Sequence, residues 1–154
     1  MQAGDIMSRE FIAVGATAPI QEVVGFMIKK QEPYALVLDD ERRPIGIVTE
    51  ADLLKILSPG SVRFLDMVVC LDRGVCNRDM LLKQLSVNQI MTRPVQCVGT
   101  DMPIERVLAA MLEKRLDQLP VLENGLVTGV LRRSDLIRSL YRSGRELEEG
   151  DKEN

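Results

Sequence analysis

Histidine and tryptophan are absent from this chain of 154 residues, and aromatic residues make up only 3% of it. Because histidine is the commonest general base and the commonest metal ligand, its absence disfavours many catalytic and metal-binding sites. The chain also lacks a phosphate-binding glycine loop with its lysine and any known nucleophile motif. We therefore assign no catalytic residue and no metal ligand, and we expect the protein not to be an enzyme.

A basic excess and long apolar runs are missing as well. The formal net charge is −3, whereas nucleic-acid-binding domains usually carry a strong positive charge. No apolar run approaches the roughly 20 residues that cross a bilayer, and the first ten residues lack the apolar stretch of a signal peptide. We expect a cytoplasmic protein that binds neither nucleic acid nor membrane.

Cysteine is scarce, with three residues, Cys70, Cys76 and Cys97. An odd number in a cytosolic chain indicates reduced thiols, and the spacing of Cys70 and Cys76 matches no redox motif. Three cysteines without histidine also disfavour a structural zinc site. We interpret them as small apolar residues of an aliphatic core.

The chain repeats itself in register, which indicates an internal duplication. Three segments return in the same order: IMSREFIAV (6–14) as IMTRPVQCV (90–98), PIQEVVGFM (19–27) as PIERVLAAM (103–111), and GIVTEADLL (46–54) as GVLRRSDLI (129–137). The offset is 84 residues at first and 83 after a one-residue deletion in the turn that follows Asp40.

Each repeat predicts the order β-α-β-β-α. Apolar residues at 3–4 spacing predict a helix after Pro19 and after Pro103, with each proline in the first turn and with Thr17 or Asp101 offering an oxygen at the helix start. The other predicted elements are a first strand at 11–14, a strand at ALVL (35–38) or LPVL (119–122), a second strand at IGIV or VTGVL, and a helix from Glu50 or Arg133.

Neither repeat of about 50 residues buries enough surface to be stable alone, so we expect the two to pack through their sheets about a pseudo-twofold axis. The predicted organisation is a first domain at 1–57, a helical linker at 58–88, a second domain at 89–141 and an acidic flexible tail at 142–154. The fold class is α+β.

Several elements resemble the landmarks of cystathionine-β-synthase-type (CBS) domains in a tandem pair, known as a Bateman module. They are DIM (5–7), GIVTEADLL (46–54), IMTRPV (90–95), QLPVLE (118–123) and GVLRRSDLI (129–137). The resemblance covers about residues 5–140. It implies a disc-like pair with two clefts that bind AMP, ADP, ATP or S-adenosylmethionine. In the family pattern a Thr or Ser meets phosphate and an Asp accepts hydrogen bonds from the ribose hydroxyls.

This pattern matches Thr49 and Asp52 in the first repeat. Gly46 allows the backbone to approach a ligand or a neighbouring strand closely. The Thr49 hydroxyl and the amides at the helix start form an anion site, and a carboxylate one turn later can accept two bonds from a vicinal diol. The alternative is that Thr49 is an N-cap and Asp52 a favourable first-turn acid.

The second repeat departs from the pattern, because Arg132 stands in the place of Thr49 while Asp135 is retained. A guanidinium can replace the hydroxyl with a bidentate phosphate contact, or it can fill the cleft and close it. A third interpretation makes Arg132 and Arg133 solvated residues of an exposed turn.

Four further candidates match the family's ligand site by position. Pro33 and Tyr34 precede the middle strand of the first repeat, and Asp117 and Gln118 precede that of the second. Such residues usually face the base and the sugar. Tyr34 either stacks on adenine or belongs to the core.

The resemblance therefore implies a regulatory module that senses an adenosyl ligand and signals to a separate protein of unknown identity. We expect that no cofactor is required and that Mg²⁺ enters only with ATP. CBS pairs usually bury their helices against a second pair, which predicts a homodimer. The alternative function is a ligand-free dimerisation or assembly module.

Overall fold

A computed structural model of the chain describes residues 1–57 and 82–152, without the side chains of 57 and 146–152. The linker predicted at 58–88 lies mostly outside the described residues, as do Cys70 and Cys76. The helices and strands follow in the order α1 (Ala3–Ile6), β1 (Ala13–Gly15), α2 (Ile20–Lys30), β2 (Tyr34–Leu38), β3 (Pro44–Thr49), α3 (Glu50–Leu57), β4 (Val98–Gly99), α4 (Ile104–Glu113), β5 (Gln118–Glu123), β6 (Leu126–Arg132) and α5 (Arg133–Lys152). A short 3-10 helix covers Val87–Gln89.

The predicted β-α-β-β-α order is confirmed in both repeats, which form two three-stranded sheets. In the first sheet β1 pairs in parallel with β2, and β2 pairs in antiparallel with β3. The second sheet repeats this arrangement with β4, β5 and β6. The antiparallel pairs shift register between Val37 and Leu38 and between Val121 and Leu122, which are equivalent places in the two repeats.

The starts of α2 and α4 differ from the prediction. Pro19 and Pro103 are the N-cap residues rather than first-turn residues, with extended ψ angles of 141° and 142°. The Pro19 carbonyl accepts the first helical N–H, from Val23 at 3.2 Å, as a cap residue does. The cap positions are therefore occupied by the prolines and not by Thr17 and Asp101, and neither cap residue makes a side-chain cap bond.

The chain divides into two compact units whose limits do not coincide with the predicted domain bounds. The first-repeat unit is Ile12–Val95, and the second-repeat unit joins Met1–Phe11 to Gln96–Asn154. The segment that precedes β1 pairs with β6, and the segment that precedes β4 pairs with β3. Ser8 and Val130 exchange backbone hydrogen bonds of 2.9 Å in both directions, and Thr92 and Ile47 exchange bonds of 2.8 and 3.1 Å.

Each unit has an aliphatic core built from equivalent residues of its helix and middle strand, as the composition predicts. In the first-repeat unit the buried face of α2 packs with Ala35 and Val37 of β2. In the second-repeat unit the buried face of α4 packs with Leu119 and Val121 of β5. Full burial of an aliphatic side chain stabilises the fold by about 1.5–3 kcal/mol, so these layers hold the sheets in place.

Two further features concern the tail and the remaining cysteine. The tail predicted to be flexible from residue 142 is helical in α5 as far as Lys152, where arginine, glutamate and leucine favour the helix. Cys97 is half-buried, and this burial raises the pKa of its thiol. No helix in the described part of the chain combines the length and apolar character that crossing a membrane requires.

Candidate functional site

The end of β3 and the start of α3 bring Thr49 and Asp52 together. Asp52 Oδ2 accepts the backbone N–H of Thr49 at 2.9 Å and the Thr49 hydroxyl at 3.2 Å. Its Oδ1 accepts the hydroxyl of Thr92 at 3.0 Å. The half-buried carboxylate of Asp52 is thus held by three uncharged donors. We call Thr49, Asp52 and Thr92 the Thr49 junction.

The end of β6 and the start of α5 build the equivalent place with a different chemistry. Asp135 Oδ2 accepts the backbone N–H of Arg132 at 3.0 Å and its Nε at 3.3 Å, while Oδ1 accepts Nη2 of Arg132 at 3.4 Å. Arg138 Nη1 lies 3.9 Å from the same Oδ1. Arg132, Asp135 and Arg138 form the Arg132 junction, whose carboxylate is only 8% exposed.

Both junctions share one backbone device. The aspartate in the third position of the helix accepts the N–H of the last strand residue, and an anion there is favoured by the helix dipole. Asp52 is therefore a favourable acid in the first turn of its helix, which was the alternative interpretation of this residue. Arg132 is folded onto Asp135, so the interpretation of a solvated arginine is wrong for Arg132.

The candidates Pro33, Tyr34, Asp117 and Gln118 lie at the same end of the sheets as the two junctions. Tyr34 is the cross-strand partner of Thr49, and Gln118 is that of Arg132. The Pro33 carbonyl accepts the N–H of Glu50 at 3.1 Å, and the Asp117 carbonyl accepts that of Arg133 at 3.2 Å. The repeat therefore places all four beside the residue that precedes each helix.

Their side chains are in different environments. Tyr34 is 1% exposed, so its ring belongs to the core and is not accessible for stacking in this structure. Asp117 is exposed and forms an ion pair of 3.1 Å with Nε of Arg133. Gln118 is half-buried and Pro33 is exposed.

Two glycines of the repeated motif, Gly46 and Gly129, allow another segment of the protein to approach their backbone closely. A Cβ on Gly46 would overlap Sδ of Met91. A Cβ on Gly129 would lie 2.5 Å from Sδ of Met7 and 2.8 Å from the carbonyl oxygen of Ser8. Gly46 was expected to allow the close approach of a ligand or of a neighbouring strand, and in the structure a neighbouring protein segment approaches it.

Sequence reasoning missed Thr92 and Arg138. Thr92 belongs to the repeated segment IMTRP, and its bond to Asp52 spans 40 residues, so spacing alone does not reveal it. Arg138 follows Asp135 by three residues on one helix, a spacing that brings side chains together and was a usable signal.

A cavity opens in each unit near its junction. In the first-repeat unit a cavity of about 560 Å³ is bordered by Pro33, Glu50 and Leu53 together with residues of α2. In the second-repeat unit a cavity of about 400 Å³ is bordered by Asp135, Arg138 and Arg142 together with residues of α1. Among residues 1–57 and 82–152 there is no group of three or more acidic or cysteine side chains that could hold a metal ion.

Comparison with known proteins decides the family. The family model described as the CBS domain matches twice, at residues 3–59 and 87–142. The chain belongs to the CBS-domain family. The duplication seen in the sequence is therefore a tandem pair of CBS domains.

Relatives of this CBS-domain pair include both sequences and solved structures. An uncharacterized protein of Methanopyrus kandleri is 25% identical over 140 residues, which are 90% of this chain and 62% of that relative's length. The crystal structure of CBSX2 in complex with AMP has a TM-score of 0.73 at 20% identity, covering 93% of this chain and 98% of the other. A CBS domain pair in complex with 5′-methylthioadenosine and S-adenosyl-L-methionine has a TM-score of 0.72 at 21% identity, with the same coverage. These structural likenesses establish the fold.

Proposed function

We propose that this CBS-domain pair is a regulatory module that binds an adenosyl ligand, either an adenine nucleotide or S-adenosylmethionine, and signals to a separate protein without catalysing a reaction. The observation that carries the proposal is the strand-to-helix junction built twice, with Asp52 and Asp135 in the same place and held by amide bonds of 2.9 and 3.0 Å. Support also comes from similar CBS pairs whose structures contain AMP, or 5′-methylthioadenosine with S-adenosylmethionine.

The Thr49 junction has the chemistry that a ribose needs. Two of the three donors to Asp52 are hydroxyl groups, those of Thr49 and Thr92. The two hydroxyls of a ribose diol can replace them one for one, because the exchange changes neither the number of hydrogen bonds nor the charge. The released Thr49 hydroxyl is then available to a phosphate at the start of α3.

The test is the substitution Asp52→Ala, measured by titration calorimetry with AMP, ATP and S-adenosylmethionine. Hydrogen bonds to a charged acceptor are worth roughly 1.5–3 kcal/mol each, so loss of the carboxylate should weaken binding at this junction at least about tenfold. The matched control is Asp40→Ala, which removes an exposed carboxylate in the turn after β2 and should leave affinity unchanged. Asp52→Asn separates loss of charge from loss of the helix cap, since its amide oxygen can still accept the Thr49 N–H.

Unchanged affinity in Asp52→Ala would contradict the assignment of this residue. A thermal-shift panel with AMP, ADP, ATP, cyclic dinucleotides and S-adenosylmethionine tests the function as a whole. Stabilisation without turnover supports a sensor, and formation of a product from any of these compounds would support an enzyme instead.

A second candidate, an assembly module that forms a homodimer, is favoured by exposed apolar side chains at equivalent places. Ile28 of α2 is 72% exposed and its counterpart Leu112 of α4 is 70% exposed, and Leu54 of α3 and Ile137 of α5 are exposed to 66% and 69%. A surface repeated by the duplication suits a second copy of the chain, since twofold interfaces use the same patch on both partners. No response to any ligand in the thermal-shift panel, together with a dimer in light scattering, would favour assembly alone.

A further inference from the structure

We infer that Arg132 is a latch on Asp135 that makes the Arg132 junction selective for adenosyl ligands carrying phosphate, whereas the Thr49 junction has no such requirement. This inference rests on the proposed function and names the ligand class of each junction. The inference predicts that uncharged 5′-methylthioadenosine and cationic S-adenosylmethionine bind at the Thr49 junction alone, and that nucleotides bind at both junctions.

The first step is the occupation of Asp135. Its two carboxylate oxygens accept Nε and Nη2 of Arg132 at 3.3 and 3.4 Å, and the backbone N–H of Arg132 approaches at 3.0 Å. A ribose diol needs these same oxygens. The Asp135 side chain is 8% exposed and that of Arg132 is 33% exposed, so two uncharged hydroxyls that displaced the guanidinium would take its counter-charge from a buried carboxylate, which is unfavourable.

The second step is the exchange that a phosphate allows. A phosphate offers a guanidinium two oxygens that accept a bidentate contact, as a carboxylate does, so Arg132 can leave Asp135 without losing its counter-charge. Asp135 is then free to accept the ribose hydroxyls. Arg138, with Nη1 at 3.9 Å from Asp135 Oδ1, remains beside the carboxylate as a second positive charge. The cavity of about 400 Å³ that Asp135, Arg138 and Arg142 border leaves room for a charged ligand group.

The Thr49 junction lacks this barrier, because the donors to Asp52 are an amide and two hydroxyls. At this junction the ribose hydroxyls of a ligand replace the threonine hydroxyls, whether or not the ligand carries phosphate. The difference between the junctions follows from a single position of the repeat, at which Thr49 corresponds to Arg132.

The experiment counts binding sites for 5′-methylthioadenosine per chain by titration calorimetry. We expect one site in the wild type, two in Arg132→Thr and none in Thr49→Arg. The Thr hydroxyl in Arg132→Thr can bond Asp135 as that of Thr49 bonds Asp52, so the variant should fold, which circular dichroism checks. With ATP we expect two sites in the wild type, and Arg132→Thr should weaken the one at Asp135 at least about tenfold and reduce its salt dependence.

The matched control is Arg133→Thr, which removes the neighbouring arginine that pairs with exposed Asp117 and should leave one site for 5′-methylthioadenosine. If Arg132→Thr fails to fold, Thr49→Arg still decides, because it should build the latch at the other junction. Two equivalent sites for 5′-methylthioadenosine in the wild type, or one site in both Arg132→Thr and Thr49→Arg, would overturn the latch and leave the proposed function standing. No binding of any adenosyl compound to the wild type would overturn both.

Discussion

At the scale of single residues, the two glycines of the repeated motif lie in close contact with neighbouring segments. Gly129 lies under Met7 and against the carbonyl of Ser8, which itself accepts the N–H of Val130 at 2.9 Å. Gly46 lies under Met91, a side chain that can adjust its torsions more easily than a bonded backbone oxygen can move. The two equivalent glycines are therefore not equally tolerant of an added methyl group.

We predict that Gly129→Ala lowers the free energy of unfolding by about 1–3 kcal/mol, and that Gly46→Ala lowers it by less. Gly15→Ala is the control, because no atom lies within 4 Å of a Cβ at that position. Urea denaturation of the three variants checks the order. If Gly129→Ala is as stable as Gly15→Ala, the close approach of Met7 and Ser8 is wrong.

Replacement of one residue also changes the chemistry of a whole junction. Asp52 and Asp135 have the same position in the helix and the same amide donor, yet one carboxylate is held by hydroxyls and the other by a guanidinium. The repeat alignment identifies the substitution but does not say whether the arginine faces solvent, a ligand or the aspartate. The answer depends on the rotamer of Arg132, which only its three-dimensional neighbours determine.

At the scale of the elements, the two repeats differ in the helix propensity of α2 and α4. Gly25 of α2 corresponds to Ala109 of α4, and glycine costs roughly 0.5–1 kcal/mol relative to alanine inside a helix. A Cβ at Gly25 would meet no atom within 4 Å, and the same is true of Gly144 in α5.

We predict that Gly25→Ala raises the free energy of unfolding by about 0.4–1 kcal/mol. Gly144→Ala should do the same, because α5 is helical through that residue. Thermal unfolding followed by circular dichroism measures both variants. A destabilised Gly25→Ala would mean that the exposed face of α2 is covered in solution.

The elements themselves were largely predictable from the sequence, because their signals are local. Alternating burial along β3 and the 3–4 spacing of Ile20, Val23 and Met27 follow from side-chain direction within one segment. The starts of α2 and α4 were misplaced by a residue, since a proline suits both the cap and the first turn. The continuation of α5 was missed because an acidic, polar composition favours a solvated end as well as a helix.

At the scale of the whole molecule, the exposed apolar side chains of the helices suit the proposed homodimer. We predict a mass of twice 17.2 kDa in light scattering at micromolar concentration. Ile28→Lys and Leu112→Lys should each shift the protein towards the monomer, because a buried lysine without a partner opposes association. Leu126→Lys, at an exposed leucine on β6, is the control and should leave the dimer intact. A monomer in the wild type, with and without nucleotide, contradicts the prediction.

The sequence by itself determined the duplication, the β-α-β-β-α order and the positions of Thr49, Asp52, Arg132 and Asp135 at two strand-to-helix junctions, because register and periodicity are properties of neighbouring residues. Tertiary structure alone decided three other matters. It placed the ring of Tyr34 in the core, the hydroxyl of Thr92 on Asp52 and the segment Met1–Phe11 in the second-repeat unit. Each depends on residues far apart in the chain, which come together only when each unit folds.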